Sequence, residues 1–253
     1  MKCESDSFST RQRARRRLRA PDQFSMRLAQ ALSPDEAESL LADEQLRREC
    51  LQNGVDLDSI VANLRLSASE RLEATAEALH TLNLMNLFAE LCRRRVRFVL
   101  IGGLAGRVYG SSYATSDLDI CHSRDERNLR TLAAMLKRLK ADYRRLPKFG
   151  PPVLDSKIFA TETDFVFTTD LGKLDLIGEF TGVGMYDNAI EGAIQIDIGK
   201  YKVNVLSLPK LMAAKLSTGR PKDQLVYVEL QMIERLRNRI CKTCAAAGHD
   251  DLI

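Results

Sequence analysis

Apolar residues recur at intervals of three and four through the first third of the chain, a spacing that predicts helices with one buried face. Two helix starts stand out in the interval 20–93: Ser33-Pro34-Asp35-Glu36 and the capping-box sequence Ser67-Ala68-Ser69-Glu70. The second helix either continues or breaks near residues 80–83, before further apolar residues at 84, 87 and 91. We therefore expect residues 26–93 to form a helical extension.

From Val96 onward the pattern changes to short apolar runs that alternate with helical periodicity. Such alternation predicts an α+β domain, with a mixed or antiparallel sheet flanked by helices. The predicted strands are 98–101, 118–121, 164–168, 173–177, 193–198 and 202–206, and the predicted helices are 104–109, 125–141, 207–216 and 223–238. We place this domain at 94–240, with a loop at 146–156 and a C-terminal tail at 241–253.

The charge is unevenly distributed along the chain. The net charge is +4, but residues 1–19 carry seven basic and two acidic side chains, which is 7 − 2 = +5, so the remaining residues sum to −1. We expect residues 1–25 to form a basic, disordered arm. Such an arm is either a solvated chain end or a contact for nucleic-acid phosphate, which slightly favours RNA as a partner.

The composition, with 45% hydrophobic and 28% charged residues, is that of a folded protein. No apolar run approaches the roughly 18 residues that cross a bilayer, and the N-terminal region lacks the apolar core of a secretory signal, so we expect a cytoplasmic protein without a membrane partner. The six cysteines are expected to be reduced. Cys241 and Cys244 have zinc-type spacing with His249 nearby, but no second such pair exists, which favours two cysteines in a terminal helix.

The segment 97–120 contains the residues best suited to chemistry. Gly102-Gly103 follows an apolar run, and Asp117 and Asp119 alternate with Leu118 and Ile120. On a strand, residues two apart point to the same face, so both carboxylates can approach one cation. The glycines do not complete a dinucleotide-binding or Walker pattern. They fit a turn at a strand end whose amides, with the following helix N-terminus, hold a triphosphate.

Gly102-Gly103 and Asp117-Leu118-Asp119 resemble the motif of the DNA polymerase β-like nucleotidyltransferase superfamily, with Gly-Gly in place of the commoner Gly-Ser. The longer pattern, through 169–177 to 208–223, resembles bacterial minimal nucleotidyltransferases, including AbiEii-type enzymes. The resemblance implies a nucleotidyltransferase-type fold over residues 94–240 and three carboxylates that hold two metal ions, Mg²⁺ or Mn²⁺. Asp117 and Asp119 match the pair. Asp175 is our candidate for the third, with Asp170 and Glu179 as alternatives, and the lone His122 is not expected to be a ligand.

The resemblance also implies contacts to the nucleotide. We expect Gly102, Gly103, Lys215, Arg220 and Asp223 to take part in nucleotide binding. The change from serine to Gly103 removes a phosphate-binding hydroxyl, which Ser111, Ser112, Thr115 or Ser116 could supply, and of these we assign Ser112 and Ser116 to the site. Val226 stands where these enzymes often carry another acidic residue.

These features favour an enzyme of the EC 2.7.7 type that moves a nucleoside monophosphate from an NTP to an acceptor hydroxyl on tRNA, protein or a small molecule, as in some toxin–antitoxin systems. The alternative is a catalytically inactive nucleotide-binding or regulatory module, such as an antitoxin-like partner. In either case the helical extension is available to contact a protein partner.

Overall fold

The computed structural model describes residues 23–78, 82–145 and 154–246. Most of the predicted basic arm, residues 146–153 of the predicted loop and the last seven residues lie outside these ranges. No helix within them is both long enough and apolar enough to span a membrane.

Residues 23–78 and 82–93 are mainly helical, as their periodicity predicts. Its helices are α1 (Gln23–Ala29), α2 (Pro34–Ala42), α3 (Glu44–Gln52), α4 (Leu57–Leu64), α5 (Ala68–Ala78) and α6 (Leu82–Arg93). Ser33 and Glu36 form the reciprocal capping box that starts α2, with bonds of 3.2 and 2.7 Å. Ser67 and Glu70 make the same pair of bonds at the start of α5. Both helix starts are confirmed.

The sheet of the second part is mixed. The strands of this part are β1 (Phe98–Leu100), β2 (Asp117–His122), β3 (Asp142–Tyr143), β4 (Asp164–Thr169), β5 (Gly172–Ile177), β6 (Glu179–Phe180), β7 (Gly184–Met185), β8 (Ile194–Ile198) and β9 (Tyr201–Val205). All of them except the short strands β6 and β7 belong to the main sheet. The seven-stranded order is β3-β4-β5-β2-β1-β9-β8, and β6 pairs with β7 separately. The β2/β5 and β1/β9 pairs are parallel and the others antiparallel.

Helices flank this sheet: α7 (Gly102–Tyr109), α8 (Glu126–Arg138), α9 (Ser156–Thr161), α10 (Tyr186–Ile190), α11 (Leu208–Ser217) and α12 (Pro221–Ala246). The α+β class, with a mixed sheet and an N-terminal helical extension, is therefore confirmed. Several boundaries differ from the prediction, and two of these differences concern the site and the predicted tail. Helix α7 includes both glycines that we assigned to a turn, and α12 continues beyond Asn238 into the predicted tail.

The helical extension and the sheet share one buried hydrophobic cluster, which runs from Ala29 to Leu236. A fully buried arginine, Arg71 of α5, lies within it. Its guanidinium donates to backbone carbonyls at the carboxyl ends of three helices: Ala29 and Gln30 at α1, Asn63 and Leu64 at α4, and Val108 at α7. Carbonyls in the last turn of a helix have no partner within it, so this one cation caps all three helices.

Candidate active site

The paired aspartates lie at the start of β2, and Asp175 lies on the neighbouring strand. Strand β5 runs parallel to β2 in a register that sets Asp119 directly beside Asp175 and Asp117 beside Lys173. Neighbouring strands are about 4.8 Å apart, so a residue of one strand and its register partner are close together. The fold therefore brings all three predicted metal ligands to one place on the sheet.

The glycine pair lets the first turn of α7 approach Asp119 closely. Gly102 has a left-handed backbone, with φ of 66°, and a Cβ there would overlap the Asp119 carboxylate. The Gly103 amide donates a hydrogen bond to that same carboxylate. A side chain at residue 102 would thus force the helix away from the aspartate, and the left-handed conformation itself favours glycine.

Gly103 is also in close contact with the loop before β2. A Cβ at residue 103 would come within 2.6 Å of both the Cβ and the Oγ1 of Thr115. The space that a serine side chain would fill is therefore occupied by Thr115, whose hydroxyl lies beside the first turn of α7.

The three carboxylates differ in their acidity. Burial, together with the negative charges of Asp175 and Asp117, raises the pKa of Asp119 to about 7. Burial also raises the pKa of Asp175, although Arg144 opposes the shift. For Asp117, burial alone would raise the pKa, but hydrogen bonds from Ser116 and Arg144 and the charges of Arg144 and Lys173 outweigh it and lower the pKa.

Arg144, which follows β3, bridges two of these carboxylates. Its Nη1 lies 3.1 Å from Asp117 Oδ2, its Nη2 donates to Asp175 Oδ1, and its Nε donates to the Phe167 carbonyl at 3.2 Å. Lys173 Nζ lies 3.7 Å from the other oxygen of Asp117. The cluster thus already holds a cation, in the form of a guanidinium.

As these side chains stand, no three His, Cys, Asp or Glu residues within the described ranges converge as a group that could hold a metal ion. The donor chemistry still fits a hard divalent cation, because carboxylate oxygens are the ligands that Mg²⁺ prefers. A positive group between Asp117 and Asp175 also shows that this pair accepts a cation. The three aspartates fit Mg²⁺ or Mn²⁺ in donor type, but as they stand Arg144 bridges Asp117 and Asp175.

A second charged group faces the carboxylates from α11 and α12. Asp223, which is buried, accepts from Lys215 Nζ at 2.6 Å, Arg220 Nε at 2.6 Å and Thr218 Oγ1 at 2.8 Å. Burial alone would raise the pKa of Asp223, but the bonds from Lys215 and Thr218 outweigh it and lower the pKa. Asp223 therefore holds Lys215 and Arg220 in place.

Between the two groups lies a cleft of about 530 Å³, a size typical of small-molecule sites. Its lining includes most of the predicted site residues: Gly103, Ser116, Asp117, Asp119, Asp175, Lys215, Arg220 and Asp223. Thr115, Lys173, Lys222 and Val226 also line it. The cleft offers carboxylates on one side and cations on the other, which suits a metal-bound phosphate chain.

Ser112 does not lie in this lining. Its amide and its hydroxyl both donate to Glu229 of α12, as does the hydroxyl of Ser111. Glu229 is buried and ties down the loop between α7 and β2. Sequence reasoning missed both Glu229 and Arg144, because each acts on residues far away along the chain.

The residues weighed as alternatives lie elsewhere. Asp170 is in the β4–β5 turn, where it pairs with Lys140 at 3.7 Å, and Glu179 is on β6. His122 is fully buried, and burial lowers the pKa of its ring to about 4, so it is a neutral core residue. The side chains of Cys241, Cys244 and His249 lie outside the described set.

The chain was compared with known proteins. No protein-family model matches it, and no curated protein sequence does. Among solved structures, it is similar to the antibiotic-resistance factor ANT(2'')-Ia, for which substrate-regulated conformation dynamics in solution are described. The TM-score is 0.41 and the identity 15%, over 68% of this chain and 96% of the other. Similarity at this level leaves the function to be argued from the residues of the cleft.

Proposed function

We propose that this protein is a metal-dependent nucleotidyltransferase that moves a nucleoside monophosphate from an NTP to an acceptor hydroxyl and releases pyrophosphate. The observation that carries the proposal is the arrangement of Asp117, Asp119 and Asp175 on neighbouring strands, facing Lys215 and Arg220 across a cleft of about 530 Å³. The resemblance of these same residues to the polymerase β-like superfamily, and of the longer pattern to AbiEii-type enzymes, supports it.

In the proposed reaction the acceptor oxygen attacks the α-phosphorus, a new P–O bond forms, and the bond to the oxygen bridging to the β-phosphorus breaks. The hydroxyl proton passes to a carboxylate, for which Asp175 is our candidate on the resemblance to the polymerase β-like superfamily. Burial raises the pKa of Asp175, which makes it a stronger base than an exposed aspartate. Lys215 and Arg220 balance the charge that develops on the leaving pyrophosphate.

Mg²⁺ or Mn²⁺ held by Asp117, Asp119 and Asp175 would polarise the phosphate oxygens and make the acceptor hydroxyl more acidic. Arg144 must leave Asp117 and Asp175 for such a cation to be held, and the triphosphate offers its guanidinium a new partner.

The test is transfer of label from α-labelled NTPs, with Mg²⁺ or Mn²⁺, to total RNA, cell protein or small hydroxyl compounds. We expect Asp117→Asn, Asp119→Asn and Asp175→Asn each to reduce transfer by about a hundredfold or more, because each removes a charge from the reacting cluster. Asp170→Asn is the matched control, since this exposed aspartate is near the cluster in sequence but not in the cleft. Equal activity of Asp175→Asn and Asp170→Asn would refute the third-ligand assignment.

A second candidate is a nucleotide-binding module without turnover. The bridge from Arg144 to Asp117 and Asp175 favours it, because a guanidinium held there competes with a metal ion. Such a module binds NTP in equilibrium dialysis but transfers no label to any acceptor, and Arg144→Ala does not create activity. If Arg144→Ala instead increases transfer, the bridge restrains an enzyme.

A further inference from the structure

A second pocket lies away from the candidate active site and contains none of its residues. It has a volume of about 460 Å³, and we call it the basic pocket after its four cations. Its principal lining residues are Arg95, Arg97, Lys200, Lys202, Tyr186 and Tyr201.

The basic pocket and the cleft are at opposite ends of the sheet. Parallel strands β1 and β9 begin at the pocket, whereas β2, antiparallel to β1, begins at the cleft. Along β9, Tyr201 lies four residue steps before Val205. Val205 and Ile120 both align with Leu100 of β1, and along β2 Asp117 lies three further steps beyond Ile120. Seven steps of about 3.3 Å separate the two levels by roughly 23 Å. One mononucleotide cannot reach both sites.

The cations of the pocket are only partly neutralised. Arg97 pairs with Asp125, and Lys202 pairs with Asp197 at 2.9 Å across two exposed side chains. No ion pair among the described residues includes Arg95 or Lys200. The chain beyond residue 19 has a net charge of −1. The positive charge at this pocket is therefore a local cluster and does not reflect a surface that is basic throughout.

Arg95 occupies a backbone position that normally favours glycine. Its φ is 56°, and bonds from its amide to Cys92 and from the Val96 amide to Leu91 close the end of α6. A side chain in the left-handed conformation costs about 1 kcal/mol relative to glycine. Lys140 holds the equivalent position after α8, but it pairs with Asp170. Arg95 pairs with no carboxylate in the described part of the chain, and it lines the pocket.

Two tyrosines add flat surfaces to the cations. Tyr201 and Tyr186 are both partly exposed, and Lys200 Nζ lies 5.5 Å from the centre of the Tyr201 ring. Burial raises the pKa of the Tyr186 hydroxyl, although the charge of Arg97 opposes the shift, so this phenol is neutral at physiological pH. Aromatic rings beside cations suit a ligand that carries phosphates and bases together.

We propose that the basic pocket binds a segment of single-stranded nucleic acid, with phosphates on Arg95 and Lys200 and a base stacked on Tyr201. Phosphate contacts hold the strand whatever its sequence, and stacking selects unpaired bases over a duplex. Because the pocket shares no residue with the cleft, this proposal does not depend on the proposed transferase activity.

The test is fluorescence anisotropy of labelled single strands of about 12 nucleotides, as RNA and as DNA, bound to the full chain without metal at several salt concentrations. Arg95→Ala/Lys200→Ala should weaken binding roughly tenfold and reduce the slope of log affinity against log salt by about 1.4, because each phosphate contact on a single strand contributes about 0.7. Arg48→Ala/Lys137→Ala, which removes the same charge from exposed helix surfaces, should change neither.

Tyr201→Leu separates stacking from charge. We expect it to weaken binding several-fold without changing the salt slope, and we expect a duplex of equal length to bind less tightly than the single strand. The RNA and DNA arms show which strand the pocket takes. Thermal melts of each variant verify that it is folded.

Three outcomes would overturn the proposal. Equal losses in the pocket and control variants would assign binding to general charge or to the basic arm. Displacement of the strand by a polyglutamate peptide of equal charge would assign the pocket to acidic protein segments, and displacement by a mononucleotide would reduce the ligand to a single nucleotide. Asp117→Asn/Asp119→Asn should bind the strand like the native protein, so a failure of the transferase hypothesis remains distinguishable.

Discussion

The two ends of helix α7 present opposite solutions for charge inside a protein. Near its carboxyl end, the buried guanidinium of Arg71 donates to five backbone carbonyls and lies among apolar side chains. At its amino end, three carboxylates crowd together and share Arg144, Lys173 and one glycine amide. Burial and the charges of Arg237 and Arg107 lower the pKa of Arg71 to about 9, but every one of its donors has a partner. The three carboxylates repel one another with fewer donors to offset the repulsion.

This difference separates a cluster that stabilises the fold from one that, in the proposed function, binds a ligand. A buried charge with every donor satisfied holds its surroundings together, and removing it leaves its partners unpaired. Like charges held near one another destabilise the protein until a cation arrives. We therefore expect charge removal to have opposite effects on stability at the two ends of α7.

The largest effect is expected at Arg71. Arg71→Met preserves much of the side-chain volume but removes all five of these hydrogen bonds. Although the carbonyls of Gln30, Asn63 and Leu64 keep a second donor, the free energy of unfolding should fall by about 3–5 kcal/mol. Urea denaturation measures it. Arg47→Met is the control, because Arg47 makes an exposed ion pair with Asp58 and should cost less than about 1 kcal/mol. If Arg71→Met and Arg47→Met lower the free energy of unfolding equally, the capping of three helices by Arg71 does not stabilise the fold as inferred.

The opposite sign is expected at Asp119. The pKa of Asp119 is about 7 in the folded protein and near 4 when unfolded, so the folded state binds more protons between these values and its stability falls as pH rises from about 4 to 7. Asp119→Asn removes this loss. Without metal, the variant should be more stable than the native protein by about 4 kcal/mol at pH 8 and equal to it near pH 4.

Thermal melts at both pH values, with and without Mg²⁺, test this expectation. Magnesium should stabilise the native protein and not the variant, because a ligand stabilises only the state that binds it. A variant that is less stable at pH 8 would contradict the assignment of Asp119 to a strained, ligand-accepting cluster.

A smaller effect is expected where Thr115 contacts Gly103. If the Thr115 hydroxyl replaces that of the missing serine, Thr115→Val should weaken NTP binding roughly tenfold, since a hydrogen bond to a charged phosphate is lost while the shape is kept. Gly103→Ser alone should be equally harmful, because the new side chain collides with Thr115. Gly103→Ser/Thr115→Gly should restore binding. If Thr115→Val binds NTP as tightly as the native protein, the Thr115 hydroxyl does not replace that of the missing serine.

The smallest effect is expected at Glu229, a buried carboxylate that is satisfied like Arg71 but lies beside the cleft. Glu229→Gln replaces an acceptor oxygen with an amide and loosens the loop at 111–116, so we expect a loss of about 1 kcal/mol in stability and a KM for NTP raised a few-fold with kcat little changed. Glu234→Gln, on the same helix, is the control. A kcat that falls with an unchanged KM would contradict a positioning role.

The sequence predicts those features whose physical cause is local. Both capping boxes involve residues three apart, and the alternation of Asp117 and Asp119 with apolar residues predicts their strand. The sequence, partly through the resemblance, favours Asp175 over Asp170 and Glu179 as the third carboxylate of the cluster. The β2/β5 register places Asp175 beside Asp119. The sequence also points to the glycine pair, but the reason that glycine is needed differs in part from the predicted one. The two glycines leave room for Asp119 and Thr115 to pack against the first turn of α7.

The remaining features depend on contacts between distant parts of the chain. Arg71 in an amphipathic helix has the pattern of a surface residue, and nothing in the sequence reveals that its partners are carbonyls, one of them 42 residues away. Glu229 binds serines 117 and 118 residues earlier, so a pair that we weighed as phosphate ligands is partly committed elsewhere. Arg144 gives no sequence pattern at all. Tertiary packing decides the role of each.

The capping of α7 by Arg71 limits how far this protein can be treated as modular. A fragment that begins at residue 94 contains every residue of the cleft, yet it lacks the guanidinium that satisfies Val108 and the helices that share its hydrophobic cluster. Transplanting the cleft region alone, or exchanging the extension for that of another protein, would expose apolar surface on α7 and leave its carboxyl end uncapped. The smallest unit that can be engineered or evolve independently therefore includes the helical extension.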